Sequence, residues 1–226
     1  MKYIQKGQEP SSFTAWKALG DENWSASYSD LRGSERTDLH NALLADQGYI
    51  CCYCGVEVRL ENSHIEHLPS QSFFTDSAET INYQYLLASC GISEQWRKEK
   101  YQKEWTKERF ENLLSCSDRC GIKRGDRPIS ISPLQPDCES FFTYDISNGA
   151  IAAKEGLDCG KVASSTISTL NLDTQKLRTL RKAAIDTAIL LIEDLTEEEM
   201  VRLFKSKNQG GELIPFCFAI AYILKM

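Results

Sequence analysis

The tightest constraint on this 226-residue chain lies between residues 51 and 90. There Cys51-x-x-Cys54 is followed by His64-Ile65-Glu66-His67-Leu68-Pro69, then by Asn82 and Cys90. Two thiols at this spacing clip a short turn to a metal ion, so the segment must fold as a small stapled hairpin rather than as part of a long helix. A disulfide is the weaker expectation, because Met1 to Pro10 is polar with no apolar run behind it and nothing there marks export to an oxidising compartment. The cysteines therefore point to metal in a cytoplasmic protein.

Of the nine cysteines, only Cys51 and Cys54 have tight ligand spacing with plausible partners downstream. Cys138, Cys159 and Cys217 are isolated and read as small apolar residues. The length suits one good-sized domain or two small ones. The longest apolar run, Leu213 to Leu224, contains Pro215 and falls short of the roughly 20 residues that cross a bilayer. It reads as a buried C-terminal helix, and no membrane partner is expected.

The net charge of −6 excludes a protein that binds nucleic acid over its whole surface. The charge is uneven, however: residues 97–125 hold nine Lys or Arg against five Asp or Glu, beside the cysteine–histidine segment. Ser93 opens a helical pattern from Glu94 to about Leu114, with Trp96, Tyr101, Trp105 and Phe110 recurring among the basic residues. Two readings fit it, a helix packing its aromatics on the domain or a face that tracks phosphates.

Elsewhere the patterns are mainly helical. Residues 1–33 lack periodicity and read as an arm or an irregular part of the core. Ser34 is placed to cap a helix to about Gln47, with Leu39, Leu43 and Leu44 on one side and Gly48 as its stop; His40 in it reads as structural. Tyr49 to Cys52 and the alternating Val56, Val58 and Leu60 predict short strands, and His64 to His67 predicts another that Pro69 ends. Phe141 to Tyr144 leads to a turn at Ser147-Asn148-Gly149. Leu177, Leu180, Ala184, Ala188, Leu191 and Leu195 predict one apolar stripe on a helix of about six turns. Thr196 and Glu199 form a capping box for the next helix, and Gly210-Gly211 precedes the terminal apolar one.

In a strand, His64 and Glu66 share a face while His67 points the other way. Glu66 suits a hard divalent ion such as Mg²⁺, and His67, with an ordinary pKa near 6.5, suits a general base. A base, a cation and a fixed loop are what hydrolysis of a phosphodiester needs. Asn82 is a candidate to fix that loop or to bond the histidine or the attacking water. A Cys₂His₂ zinc site of Cys51, Cys54, His64 and His67 is the competing arrangement, but the two-residue gap between its histidines is short for one.

The run from Cys51-x-x-Cys54 through Ile65-Glu66-His67-x-x-Pro69, Asn82 and Cys90 to Cys120-Gly121-Ile122-Lys123-Arg124-Gly125-Asp126 resembles the HNH, or ββα-metal, endonucleases. More narrowly it resembles the PtuB-like proteins encoded beside an ATPase in Septu and retron antiphage systems. Met1 to Ile4, Asn82 to Cys90, Phe142 to Tyr144 and Ser165 to Leu172 extend the likeness over most of the chain. The resemblance implies an α+β protein in which a zinc-stapled ββα-metal core is embedded in mostly helical structure. It divides the chain into an N-terminal arm and helix (1–48), a nuclease core (49–126) and a helical scaffold or docking region (127–226). It also implies His67 as general base, Glu66 as ligand of a catalytic Mg²⁺ or Mn²⁺, and Asn82 and His64 beside them. Cys51, Cys54, Cys90 and Cys120 would hold structural Zn²⁺. Cys116 competes with Cys90, which is preferred because it ends the strand beginning near Asn82 and leaves 91–119 as an insertion. Arg119, Lys123 and Arg124 would contact nucleic acid.

One position departs from the family. The metal ligand that usually follows the last cysteine is here Gly121, so Asp126, Asp118, Asn82 or water alone must complete the ion's shell. The resemblance implies an endonuclease acting on DNA or RNA, tRNA included, as the toxic effector of an antiphage complex. Its partners would be a PtuA-like ATPase and, in retrons, a reverse transcriptase with its RNA–DNA product. The N-terminal arm and C-terminal helix are the docking candidates. The departure at Gly121 and the acidic charge suit a second function, a catalytically degenerate HNH-fold adaptor that binds nucleic acid without cutting it.

Overall fold

The computed structural model describes residues 1–22, 24–91, 120–156 and 159–226. The expected helix 94–114 with its aromatics, and Cys116, Asp118 and Arg119, lie outside the described residues. Among these residues the protein is α+β: helices surround two small antiparallel sheets.

Helix α1 (Ser11–Lys17) and helix α2 (Gly33–Asp46) precede the stapled segment. Helix α2 buries Leu39, His40, Leu43 and Leu44, the side the leucine spacing marks. Its start is Gly33 with Arg32 as the flanking residue, one position before the expected serine cap. Gly48 ends it with φ +63, and a Cβ there would come within 2.6 Å of Leu213, so both backbone and packing require glycine.

His40 is buried, and its role is structural. The Ser63 hydroxyl donates to the Arg59 carbonyl, so His40 Nε2 must donate to Ser63 Oγ, 2.9 Å away. Burial, then the nearby charges of His64 and Arg36, holds its pKa down at about 4. An unfolded histidine titrates near 6.5, so the unfolded chain takes up the proton first. His40 therefore adds stability that is complete above about pH 6.5 and lost as pH falls toward 4, by about 2–3 kcal/mol. Urea unfolding at pH 7 and pH 4.5 should show a smaller acid loss in His40→Asn than in the parent; equal losses would refute this.

Strand β1 (Ser63–His67) pairs antiparallel with strand β2 (Leu86–Cys90), with His64 opposite Ser89 and His67 opposite Leu86. The expected strand over Val56 to Leu60 shrinks to a single bridge between Ile50 and Glu57. There the turn at Cys54-Gly55 takes the place of a ladder: Gly55 N–H donates to Cys51 O at φ +78, and Phe218 leaves no room for a Cβ. Helix α3 (Cys120–Arg124) packs on β2, so the order here is strand, strand, helix.

Strands β3 (Phe142–Tyr144) and β4 (Ile151–Ala153) form the second sheet around the Asn148-Gly149 turn. Helix α4 (Cys159–Leu170) and helix α5 (Gln175–Leu191) follow, then helix α6 (Glu197–Lys205), which has the expected Thr196–Glu199 capping box, and helix α7 (Cys217–Ile223).

The apolar stripe of α5 is rotated from the leucine-based expectation. Its buried face is Leu177, Arg181, Ile185 and Ala188, while Leu180 and Leu191 are exposed. The reason is Arg181, fully buried beneath Tyr144 and Phe216 with its guanidinium bonded to the carbonyls of Gly149 and Leu172. An arginine with internal acceptors packs as a core residue.

Both ends of the chain join this core rather than projecting from it. Met1, Ile4 and Phe13 are buried, as are Cys217, Phe218, Ala219 and Ile220. Phe216 N–H donates to Gly55 O and Leu213 N–H to Gly48 O. The arm and the terminal helix thus brace the stapled segment, while Leu19, Trp24 and Tyr222 on them stay exposed. Cys138 and Cys217 are buried core residues, as expected.

Candidate metal centre and active site

Four buried sulfurs, those of Cys51, Cys54, Cys90 and Cys120, lie within 4.8 Å of one another. Cys54 Sγ and Cys90 Sγ are 3.6 Å apart, too far for a disulfide and close to the roughly 3.8 Å edge of a zinc tetrahedron with 2.3 Å bonds. Cys90 N–H donates to Cys51 Sγ at 3.3 Å, a bond that suits a thiolate. Burial, then the three neighbouring thiols, pushes the Cys120 thiol well above its usual range. Burial opposes charge on Cys51, but hydrogen bonds from the neighbouring thiols outweigh it and hold that thiol well below its usual range, so Cys51 ionises first. A divalent ion is what four sulfurs in so small a space can share. The donor set fits zinc. His64 and His67 are not in this cluster, so the Cys₂His₂ alternative is not the arrangement formed.

The staple sets up a second pair of donors on β1. His64 and Glu66 share a face, with His64 Nε2 3.2 Å from Glu66 Oε2. His64 Nδ1 lies 3.0 Å from Gly91 O, and since a carbonyl only accepts, Nδ1 carries the hydrogen. In the neutral ring the Nε2 lone pair then faces the carboxylate lone pairs, an arrangement that needs a cation between them. A proton can serve: burial opposes charge on His64, but Glu66 more than offsets it and raises its pKa. A divalent ion serves equally, because two adjacent ligands at about 2.1 Å from one ion stand about 3 Å apart. A carbonyl behind the imidazole is the usual support of a metal-bound histidine.

Glu66 Oε1 is held separately. It accepts from Tyr53 Oη at 3.0 Å and from the Arg124 guanidinium, which also donates to His67 O and Ser70 Oγ. Burial alone would raise the Glu66 pKa, but His64, Arg124 and Tyr53 together place it below the usual carboxylate range. The carboxylate is therefore ionised, oriented and free to offer Oε2.

Gly121 explains itself against this pair. A Cβ there would lie 2.1 Å from Glu66 Oε2 and 3.0 Å from His64 Nε2. The space a side chain would take at position 121 is the space in which Glu66 and His64 converge. Gly121 N–H donates to Ser89 Oγ, which ties α3 to the strand opposite His64. Gly121→Ala should cost about 1–3 kcal/mol from overpacking against a pinned carboxylate, with loss of Mn²⁺ binding. Denaturant unfolding and a Mn²⁺ titration check this; unchanged values in both would contradict the geometry.

His67 faces the other way. Its Nε2 is 3.0 Å from Thr80 O, which makes Nε2 the donor and leaves the lone pair on Nδ1. The Gln71 carboxamide nitrogen lies 3.2 Å from Nδ1. Tyr28 packs edge-on against the ring at 4.4 Å. Burial, softened by the Thr80 carbonyl and Glu66, holds the His67 pKa down at about 4, so the ring is neutral at pH 7.

The remaining candidates fall in different places. Asn82 is exposed, and its Oδ1 accepts from Gln84 N–H, so it secures the loop that carries Thr80 rather than touching His67. Asp126 is exposed on the chain after α3. Lys123 is exposed as a phosphate contact must be, whereas Arg124 is only 3% exposed and spends its guanidinium on Glu66, His67 and Ser70. Arg124 is thus a strut inside the site, a correction of the surface role expected of it. Tyr53, Tyr28 and Ser89 were missed in the sequence, where only their nearness to Cys54 and Cys90, or an unexplained aromatic arm, could have hinted at them.

No family model matches the chain. The chain is similar to a curated Escherichia coli protein named "Retron Ec83 putative HNH endonuclease", with 23% identity over 204 residues, covering 80% of this chain and 78% of that protein.

Proposed function

We propose that the protein is a metal-dependent endonuclease of the ββα-metal kind, with Zn²⁺ on Cys51, Cys54, Cys90 and Cys120 and a catalytic Mg²⁺ or Mn²⁺ on Glu66 and His64. The observation that carries this reading is the His64–Glu66 pair, whose carbonyl-anchored imidazole and pinned carboxylate aim their free donor atoms at one point 3.2 Å across. The similarity to the retron protein supports a nuclease role in a retron setting.

A divalent ion bound by Glu66 and His64 would supply positive charge where negative charge develops on the phosphate and the leaving oxygen. The protein's own residues do the rest. His67 Nδ1 takes the proton from the attacking water once the water displaces the Gln71 amide from it, and Thr80 O, bonded to Nε2–H, keeps the ring in the right tautomer and stabilises the imidazolium that forms. Tyr53 and Arg124 fix the Glu66 carboxylate through Oε1 and leave Oε2 directed toward His64. Asn82 secures the Thr80 loop, and Lys123 contacts the backbone of the nucleic acid.

A free nuclease would damage its host, so the same reading includes a PtuA-like ATPase that restrains the protein and, in a retron, a reverse transcriptase with its RNA–DNA product. The setting is cytoplasmic antiphage defence. Incubation with mixed DNA and RNA tests the chemistry: strand breaks that require Mg²⁺ or Mn²⁺ support it, and binding without breaks under either ion favours a non-catalytic adaptor.

A further inference from the structure

An apolar cavity of about 430 Å³ opens beside the candidate site, lined by Leu68, Pro69, Phe73, Tyr85, Ile129 and Leu134. Leu68 to Ser70 are the residues that leave His67, and Leu68 N–H donates to Tyr85 O at 2.8 Å. Arg124, which holds Glu66 and the His67 carbonyl, also lines the cavity, and through Ser70 it ties cavity and site into one bonded network. The cavity therefore adjoins the candidate site through Leu68, the residue after His67, and through Arg124.

Its rim is unusual for a surface that meets only water. Phe73 is 58% exposed and Tyr85 41% exposed, and the Tyr85 ring is stacked with Phe74 at a centroid distance of 6.2 Å. Exposed Lys123 and Arg127 stand on α3 and just after it. Flat aromatic rings at an apolar pocket, with the exposed Lys123 on the neighbouring helix, suit a planar heterocycle attached to a phosphate. A phosphodiester placed at His67 carries a base on each side, and Leu68 to Ser70, the residues that follow His67, line the cavity. In a duplex those bases are stacked and paired and do not enter a pocket.

We propose that this cavity is a subsite for one unpaired nucleobase next to the scissile phosphate, held by stacking on Phe73 and Tyr85. The inference rests on the nuclease reading for its choice of ligand. The protein accordingly selects single-stranded, looped or frayed positions, whichever sugar they carry.

Binding measured without cleavage tests it. The zinc-loaded protein, with no added divalent ion, is titrated into a single-stranded oligonucleotide carrying 2-aminopurine and into the same sequence as a duplex, in ribose and deoxyribose forms. Tighter binding to the single strand is expected, with stacking-type quenching of the fluorophore. Tyr85→Ala and Phe73→Ala should each weaken single-strand binding about 10-fold, with duplex binding unchanged, and Tyr85→Phe should restore it where Tyr85→Leu does not. Equal loss on single strand and duplex, no loss on either, or full rescue by leucine would overturn the subsite. These readouts need no strand scission, so failure of the nuclease reading is seen separately in the absence of metal-dependent breaks.

Discussion

Replacing His67 with alanine is expected to lower the rate of metal-dependent strand scission by about 100- to 10,000-fold, the usual contribution of a positioned general base. The loss should fall on the rate constant for cleavage and leave Mn²⁺ binding unchanged, because the His67 ring bonds Thr80 and Gln71 and neither His64 nor Glu66. The folded state should survive, since the ring is bonded to one carbonyl and packs on Tyr28, and its truncation opens a gap at the edge of the core. His67→Gln should be as inactive as alanine: its amide bonds a carbonyl but offers no basic nitrogen. Because burial holds the His67 pKa down at about 4, the base remains unprotonated from neutral pH down to about pH 5, and its limb of the pH profile should fall only below that. Full activity in His67→Ala, measured by single-turnover cleavage at saturating protein, would remove His67 from the mechanism.

Loss of the zinc site should have the largest effect on the fold. A structural zinc contributes about 10–16 kcal/mol in small metal-dependent folds, against a total stability of about 5–15 kcal/mol for a typical domain. Here the four sulfurs join the turn at Cys51–Cys54, the end of β2 and the start of α3. They lie one residue from Ser89 and Gly121, which hold His64's partner strand and line the Glu66 pair. Cys90→Ser should therefore melt the stapled segment and abolish divalent binding at Glu66 together. Elemental analysis should find about one tightly bound zinc per chain, and a strong chelator should lower the melting temperature by more than 10 °C, since each kcal/mol is worth about 2–4 °C in a domain of this size. A zinc-free protein with an unchanged melting temperature would refute the assignment.

Much of the site was legible because its logic is local. The period of two in a strand placed His64 with Glu66 and set His67 apart, and the spacing of Cys51 and Cys54 marked the staple. The capping box at Thr196 and the stop at Gly48 were legible for the same reason: each involves groups within a few residues. What the sequence hid depends on distant contacts. Arg124 looked like a surface cation because its neighbours are basic, and only the fold brings Glu66, His67 and Ser70 around it. Gly121 looked like a missing ligand because nothing in the sequence says that Glu66 and His64 leave no room for a side chain there. Arg181 turned the face of α5 in the same way, since its acceptors are backbone carbonyls at Gly149 and Leu172 that no side-chain pattern reports. The arm at residues 1–33 had no periodicity to read, and yet Met1, Ile4 and Phe13 are core residues, placed by what they pack against.

The central claim is that one divalent ion, held by Glu66 and His64, drives strand scission at His67. Its most direct test is the cleavage rate of the zinc-loaded protein as Mn²⁺ is titrated in from zero. The prediction is no scission before addition, a rate that saturates with Mn²⁺, and a half-saturation point raised about 10-fold or more in His64→Ala. Scission that persists without a divalent ion, or a saturation curve that is the same in His64→Ala as in the parent, would contradict it.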